Sequence, residues 1–458
     1  MMPNILQPGS FRDPSGFLFY EGKKLLRQVN KCYRKDYELL MGSGLYDKLC
    51  NEGLLVSHKE ISGHLGLNSD IYKVIEPEKI NFISYPYEWS FSQLKDAALL
   101  TLEIQKIALK HGMTLKDGSA YNIQFHKGKP VFIDTLSFEI YGEGKPWEAY
   151  RQFCQHFLAP LALMSRTDIR SNQLLKIYLD GIPLNLASKL LPFKTKLNFS
   201  LLMHLHLHAK AQKKYEHKGS AAKNIKISRS NLLALIHSLT IAVKNLRINN
   251  QNTEWGDYYT FTNYSERSFA HKIEIITRFV DIINPHAVWD LGANTGVFTQ
   301  IASRRGAQCI AFDIDPLAVD SGYNYIRKHN IDNILPLIMD LTNPSPSIGW
   351  NCEERMGFMQ RPMPDTVFAL ALLHHLVISN NLPFDKIACF FSELSENLVV
   401  EFVPKSDSQV KKLLESRKDI FINYNEDIFV KEFELLYNIK AKEKIIDSER
   451  IVYWMQRK

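Results

Sequence analysis

Asp290, Asp313 and Asp340 each close an apolar run, in VWD, CIAFD and LPLIMD. An acid in that place is an acid at a strand exit, the edge where open α/β sheets bind ligands. The first acid is followed by LGANTG. A dinucleotide loop would read G-x-G-x-x-G. Gly292 matches the first glycine, but Asn294 and Val297 occupy the second and third positions. The second glycine lets backbone touch a pyrophosphate, an approach that Asn294 spoils, and Asp290 would repel the phosphates. The pattern therefore suits an adenosine without phosphate and with a cationic end. S-adenosylmethionine has that chemistry. Asp290 attracts its cationic end, and Gly292 and Gly296 let the chain bend close. The N–H groups of a helix opening after Gly296 receive its carboxylate. Asp313 accepts from both ribose hydroxyls, Ile314 covers an adenine face, and Asp340 accepts from the adenine amine.

Methyl transfer from such a donor needs an acceptor held in line and, for a hydroxyl or ammonium acceptor, a base. His374 and His375 leave the fourth apolar run in LALLHHL, and His is the side chain best poised for proton transfer near neutral pH. Tyr258, Tyr259 and Tyr264, in the aromatic stretch before the first helix of this half, are candidates for the acceptor side, with Tyr259 taken as catalytic. Glu401, after the fifth run, is a weaker one. The N/D-P-P-Y/F pattern of DNA amino-methyltransferases is absent.

These residues need a scaffold of alternating helices and strands. Ser265 caps a helix over 266–283. Strands are expected at 287–291, 308–313, 333–339, 366–371 and 397–403, with a helix opening at Pro316. Two last strand-like runs, NIKAKEKII and RIVYWMQR, flank a DSE turn. That order gives an α/β fold, a doubly wound, mostly parallel Rossmann-like sheet with a terminal antiparallel hairpin.

On these residues, 253–458 resembles a class I S-adenosylmethionine-dependent methyltransferase: DLGANTG is similar to that family's first motif, AFDIDP to its second and MDL to its third. Asn294 departs from the commonest central glycine. The resemblance implies S-adenosyl-L-methionine as cofactor, with Asp290, Gly292, Asn294, Gly296, Asp313, Ile314 and Asp340 around it.

Upstream, a hairpin turning at Glu21-Gly22 and a helix over 90–112 ending at His111-Gly112 precede AYNIQFHKGKPVFIDTLSF, read as strand, turn, strand. Asp117, Asn122 five residues on, and Asp134 beyond the hairpin resemble the catalytic loop of the protein-kinase and aminoglycoside-phosphotransferase superfamily, where they would accept a proton and hold metal. Leu115 replaces that family's His, and DTL replaces DFG. The segment reads as a degenerate kinase-like α+β domain that binds or presents substrate. Taken together, the two halves resemble bacterial methyltransferase-like proteins grouped with host-specific nodulation proteins, which implies a modified signalling glycan; the residues themselves leave the acceptor open, and a small molecule or glycan is expected. The expected division is a kinase-like domain over 1–160, a helical basic connector over 161–252 and a methyltransferase domain over 253–458.

The chain has 458 residues, 45% hydrophobic and 23% charged, with a net charge of +7. That excludes a disordered chain and permits an anionic partner without demanding one. Between Lys194 and Arg229 stand nine Lys/Arg and one acid, Glu216. An RNA- or protein-directed transfer would use that stretch, but a solvated helix face and linker is favoured. His204 and His208 share a helix face, yet no third ligand is evident, so a surface histidine cluster and no metal is expected. The six cysteines form no C-x-x-C, and no run approaches the roughly 20 apolar residues of a membrane span. A reducing cytoplasm is the expected compartment.

Overall fold

The computed structural model describes residues 5–64, 66–210, 226–248, 265–415 and 418–458. The chain divides into two compact units, Met1–Gln251 with Ser347–Met356, and Asn252–Pro346 with Gly357–Lys458. The expected connector therefore belongs to the N-terminal unit, because the helix Arg229–Asn245 packs on the helix Phe91–Lys110. Ten residues from the middle of the expected methyltransferase domain, 347–356, also belong there.

The N-terminal unit opens with strands β1 (Ile5–Leu6), β2 (Gly16–Glu21), β3 (Lys24–Asn30), β4 (His58–Glu60) and β5 (Ile71–Pro77). They form an antiparallel sheet in the order β1-β2-β3-β5-β4. The β2–β3 turn falls at Glu21-Gly22, with Gly22 at φ 61°. Ser90 caps the helix Phe91–Lys110, taking the Gln93 N–H while the Gln93 side chain accepts from the Ser90 N–H. The helix leads to two short antiparallel pairs, β6 (Met113–Leu115) with β9 (Phe138–Ile140) and, between them in the chain, the hairpin of β7 (Ile123–His126) and β8 (Lys129–Phe132).

His204 and His206 are buried, which corrects the expected surface cluster. His204 is hydrogen-bonded to Tyr150 and Ser238, His206 to Ser188 and Thr195, and His208 stacks on the Tyr150 ring. Burial holds all three imidazoles below their ordinary range. A helical stretch with apolar residues on every side left these polar rings to be buried with hydroxyl partners, and spacing alone could not reveal those partners.

The C-terminal unit holds β10 (Ala287–Leu291), β11 (Gln308–Asp313), β12 (Ile334–Ile338), β13 (Thr366–Ala369), β14 (Asn397–Phe402), β15 (Tyr437–Lys444) and β16 (Ile451–Arg457) in one sheet of order β12-β11-β10-β13-β14-β16-β15. The first five are parallel; β16 runs antiparallel between β14 and β15. Runs such as LVVEF are buried along their length, Glu401 included, as strands covered on both faces must be. The helix Glu266–Ile283, capped by Ser265, lays Ile275, Ile276, Phe279 and Val280 against Val288, Val399 and Val452. The order reverses between β10 and β13, so a crevice opens at their carboxyl ends.

Candidate active site

That crevice is a cavity of about 430 Å³ lined by Asp290, Gly292, Ala293, Asn294, Asp313, Ile314, Asp340, Leu372 and His375 among others. All seven residues proposed for the cofactor line it except Gly296, which closes the loop by donating its N–H to the Ala293 carbonyl.

The loop works through alternate left-handed residues: Gly292 at φ 79°, Asn294 at 51° and Gly296 at 82°. Asn tolerates that conformation better than most residues. This explains how it stands where a glycine is common. A Cβ on Gly292 would lie 3.3 Å from Leu372. The loop is tied to β11 by the Gly292 and Ala293 N–H groups, which both donate to the Phe312 carbonyl at 2.9 Å.

Each acid is braced. Asp313 accepts from the Asn294 N–H at 2.7 Å on one oxygen and from the Asp315 N–H at 2.8 Å on the other. Asp290 accepts from the Thr299 hydroxyl at 2.6 Å. Asp340 accepts from the Thr342 N–H and hydroxyl through a single oxygen, Oδ1. Burial pushes Asp290 up to about 7 and Asp313 up to about 6, and each carboxylate raises the other or meets a neighbouring acid. Carboxylates held this far above their ordinary range make a site short of positive charge. The helix expected after Gly296 spans Thr299–Ser303, and its first residue turns its hydroxyl back to Asp290.

The other candidates separate. His375 lines the cavity, with burial lowering its imidazole to about 4. His374 is buried beside it, with ring centroids 4.1 Å apart, and is not among the lining residues. Glu401 is fully buried in an ion pair with Lys272 at 2.6 Å, and Arg450 lies 3.6 Å from its other oxygen. It is locked among cations and does not face the cavity. Tyr258, Tyr259 and Tyr264 lie outside the described residues.

Lys272 is the residue that sequence reasoning missed. It is buried, lines the cavity and sits 4.4 Å over the Phe298 ring. Burial lowers its ammonium, while Glu401 and Asp290 favour the charge. The signal was present: Phe269, Lys272, Ile276, Phe279 and Ile283 recur at helical spacing, so a lysine stands on the apolar stripe. Ala371, also on the cavity wall, holds φ 51°, a conformation a non-glycine residue adopts only under constraint.

In the N-terminal unit the three kinase-like residues come together. The Asn122 amide donates to Ser137 at 3.1 Å, and Ser137 donates to Asp134. Asp134 also forms an ion pair with Arg27 of β3 and accepts from the Leu136 N–H. Asp117 accepts from the Ser119 N–H at 2.9 Å and is raised, first by burial and then by Asp134. The chain's own groups thus occupy both Asp134 oxygens.

No protein-family model matches the chain. The chain is 35% identical over 459 residues to nodulation protein NoeA of Rhizobium meliloti (strain 1021), covering 98% of this chain and 95% of that protein. Ribosomal RNA large subunit methyltransferase E of Wolbachia sp. subsp. Brugia malayi (strain TRS) is 37% identical over 65 residues, 14% of this chain and 30% of that one. Among solved structures, N-methyltransferase NodS from Bradyrhizobium japonicum WM9 aligns with 42% of this chain and 98% of its own at 8% identity and a TM-score of 0.32. The likeness to the Rhizobium protein runs through both units, at an identity that chance does not produce over such a length, and on that ground the chain belongs to the NoeA family of nodulation proteins.

Proposed function

We propose that the protein is an S-adenosylmethionine-dependent methyltransferase acting on a small-molecule or glycan acceptor. The observation that carries this reading is the cavity itself: three strand-end carboxylates around a left-handed loop, at a sheet's reversal point. The residues fit the group. A volume of about 430 Å³ lies in the range of small-molecule sites. Asp313 presents two oxygens already fixed by backbone N–H groups, so it receives the ribose diol without reorganising. Ile314 and Leu341 offer apolar faces to the adenine, and Asp340 stands beside them. Asp290 and Lys272, which sense each other's charge, match the two ends of an amino-acid zwitterion.

When bound, S-adenosylmethionine supplies an activated methyl group. The chain's contribution is then alignment and dryness, effects that can lower a barrier by roughly 7–11 kcal/mol when geometry is right. His375 takes the acceptor's proton; it is neutral at physiological pH and faces the cavity. Tyr259, on sequence grounds, meets the acceptor from the segment before the first helix. His374 positions His375 through their ring contact. The six unpaired cysteines suit a reducing cytoplasm.

The N-terminal unit is read as a degenerate kinase-like module that selects the acceptor. The Arg27–Asp134 pair supports this reading, because a guanidinium stands where a metal would need the carboxylate. Isothermal titration separates the possibilities. S-adenosylmethionine is expected to bind, and Asp313→Ala or Gly292→Arg to abolish binding. Tight binding of ATP with magnesium, weakened by Asp134→Ala, would instead make phosphoryl transfer the activity of this unit.

A further inference from the structure

In the N-terminal unit, the segment Gly181–Lys210 contains four lysines, Lys189, Lys194, Lys196 and Lys210, and no acid. It folds into a helix (Leu184–Leu190), a tight turn (Phe193–Leu197) and a helical stretch (Phe199–Leu207) that pack against one another. Its inward side is ordinary core: Leu184, Ala187, Leu191, Leu201 and Leu205 are buried. Its outward side is apolar as well. Phe193, Leu197 and Phe199 are 74%, 83% and 72% exposed, and Leu190, Met203 and Leu207 are exposed beside them. A stretch apolar on both faces does not belong at a plain water boundary.

These side chains are held outward. His206 is hydrogen-bonded to Thr195 at 2.9 Å and to Ser188 at 2.8 Å, so one buried imidazole bolts the turn and the first helix to the second. The four lysines are exposed, and none is ion-paired among the described residues. Lys196 sits 4.7 Å over the Phe193 ring, which puts cation and apolar tip side by side.

The occupant must be anionic at its surface and apolar beneath it. We infer that this face seats the protein on an anionic membrane surface, lysines among the headgroups and Phe193, Leu197 and Phe199 at the acyl boundary. The attachment is peripheral, since no helix among the described residues is long and apolar enough to cross a membrane. RNA bases stack on exposed aromatics such as Phe193 and Phe199, but RNA offers no apolar layer for Leu190, Leu197, Met203 and Leu207. A second copy of the face would set lysine against lysine.

The test is flotation of the full chain with vesicles of phosphatidylcholine alone, or with phosphatidylglycerol added at roughly three parts in ten. Partition onto the anionic vesicles should be at least about 10-fold stronger and should fall with salt. Phe193→Ser/Leu197→Ser/Phe199→Ser should lose at least about 10-fold of that partition, and Lys189→Gln/Lys194→Gln/Lys196→Gln should erase the preference for anionic lipid. All six side chains are exposed, so both variants should keep the wild-type melting temperature and S-adenosylmethionine affinity. Equal partition of wild type and triple variants overturns the inference. So does a wild-type dimer that the serine variant turns into a monomer, or lysine-dependent binding of polyuridylate with no vesicle binding.

Discussion

Burial pushes Asp290 up to about 7 and Asp313 up to about 6, so a ligand that sets its cationic end on an ionised Asp290 and its ribose diol on an ionised Asp313 must drive protons out. Taken as independent groups, both are ionised in about one molecule in twenty at pH 6 and about nine in ten at pH 8. A ligand that binds only the doubly ionised form loses about 20-fold in affinity between pH 8 and pH 6, or roughly 2 kcal/mol. Titration in two buffers of different ionisation enthalpy should show about 1.4 protons released per S-adenosylmethionine at pH 6 and about 0.1 at pH 8. Asp290→Asn should cut the pH effect to about twofold, the share of Asp313 alone.

The same shifts act on stability. The folded values lie above the unfolded value of 3.8, so the native state holds these protons more tightly. Their stabilisation is fully present below the unfolded value and is lost as pH rises through 6 and 7. The ligand-free protein should therefore melt lower at pH 8 than at pH 5 on their account, and ligand should raise the melting temperature more at pH 8. Asp290→Asn should relieve the high-pH loss, by up to about 4 kcal/mol. An affinity that is flat from pH 6 to pH 8, with no proton release, would refute the reasoning.

Three further outcomes follow from single contacts. Gly292→Ala puts a side chain at φ 79° and against Leu372, so it should cost about 1–2 kcal/mol in a urea melt and weaken S-adenosylmethionine binding. Lys272→Met strands Glu401 in the core and should cost about 3–5 kcal/mol, while Lys272→Met/Glu401→Met should recover most of it; a double variant as unstable as the single would contradict the pairing. His375→Ala should lower turnover by at least about 10-fold and leave cofactor affinity within about twofold, read by single-turnover kinetics once an acceptor is in hand.

Much of the C-terminal unit was written in local pattern. Ser265 caps its helix, Pro316 opens another, and Asp290, Asp313 and Asp340 stand one residue before, at and two residues after the ends of their strands. Apolar periodicity and cap chemistry act over a few residues, so a linear reading captures them. Partners far apart in sequence were not legible. Lys272 meets Glu401 across 129 residues, and Ser347–Met356 leaves one unit for the other without any composition signal. Arg27 was passed over because its partner, Asp134, lies on another hairpin, and His204 and His206 because burial is decided by tertiary packing.

The charges around the cavity also explain why Lys272 and Glu401 are kept where a pair of apolar residues would hold the fold nearly as well. Burial and neighbouring acids push Asp290 and Asp313 toward their neutral forms, which would leave this part of the site without charge. Lys272 lowers Asp290, and Glu401 in turn favours the charge on Lys272 against the larger pull of burial. Arg450 and Asp407 extend the alternation, joined at 2.8 Å, with Arg450 3.6 Å from the second oxygen of Glu401. The result is a buried row of alternating charge ending at Asp290, which holds its midpoint near 7 instead of higher, within reach of a cationic ligand at cellular pH. Removing Lys272 should for that reason do two separable things: destabilise the fold, and move the pH midpoint of ligand binding upward. A purely structural lysine would do only the first.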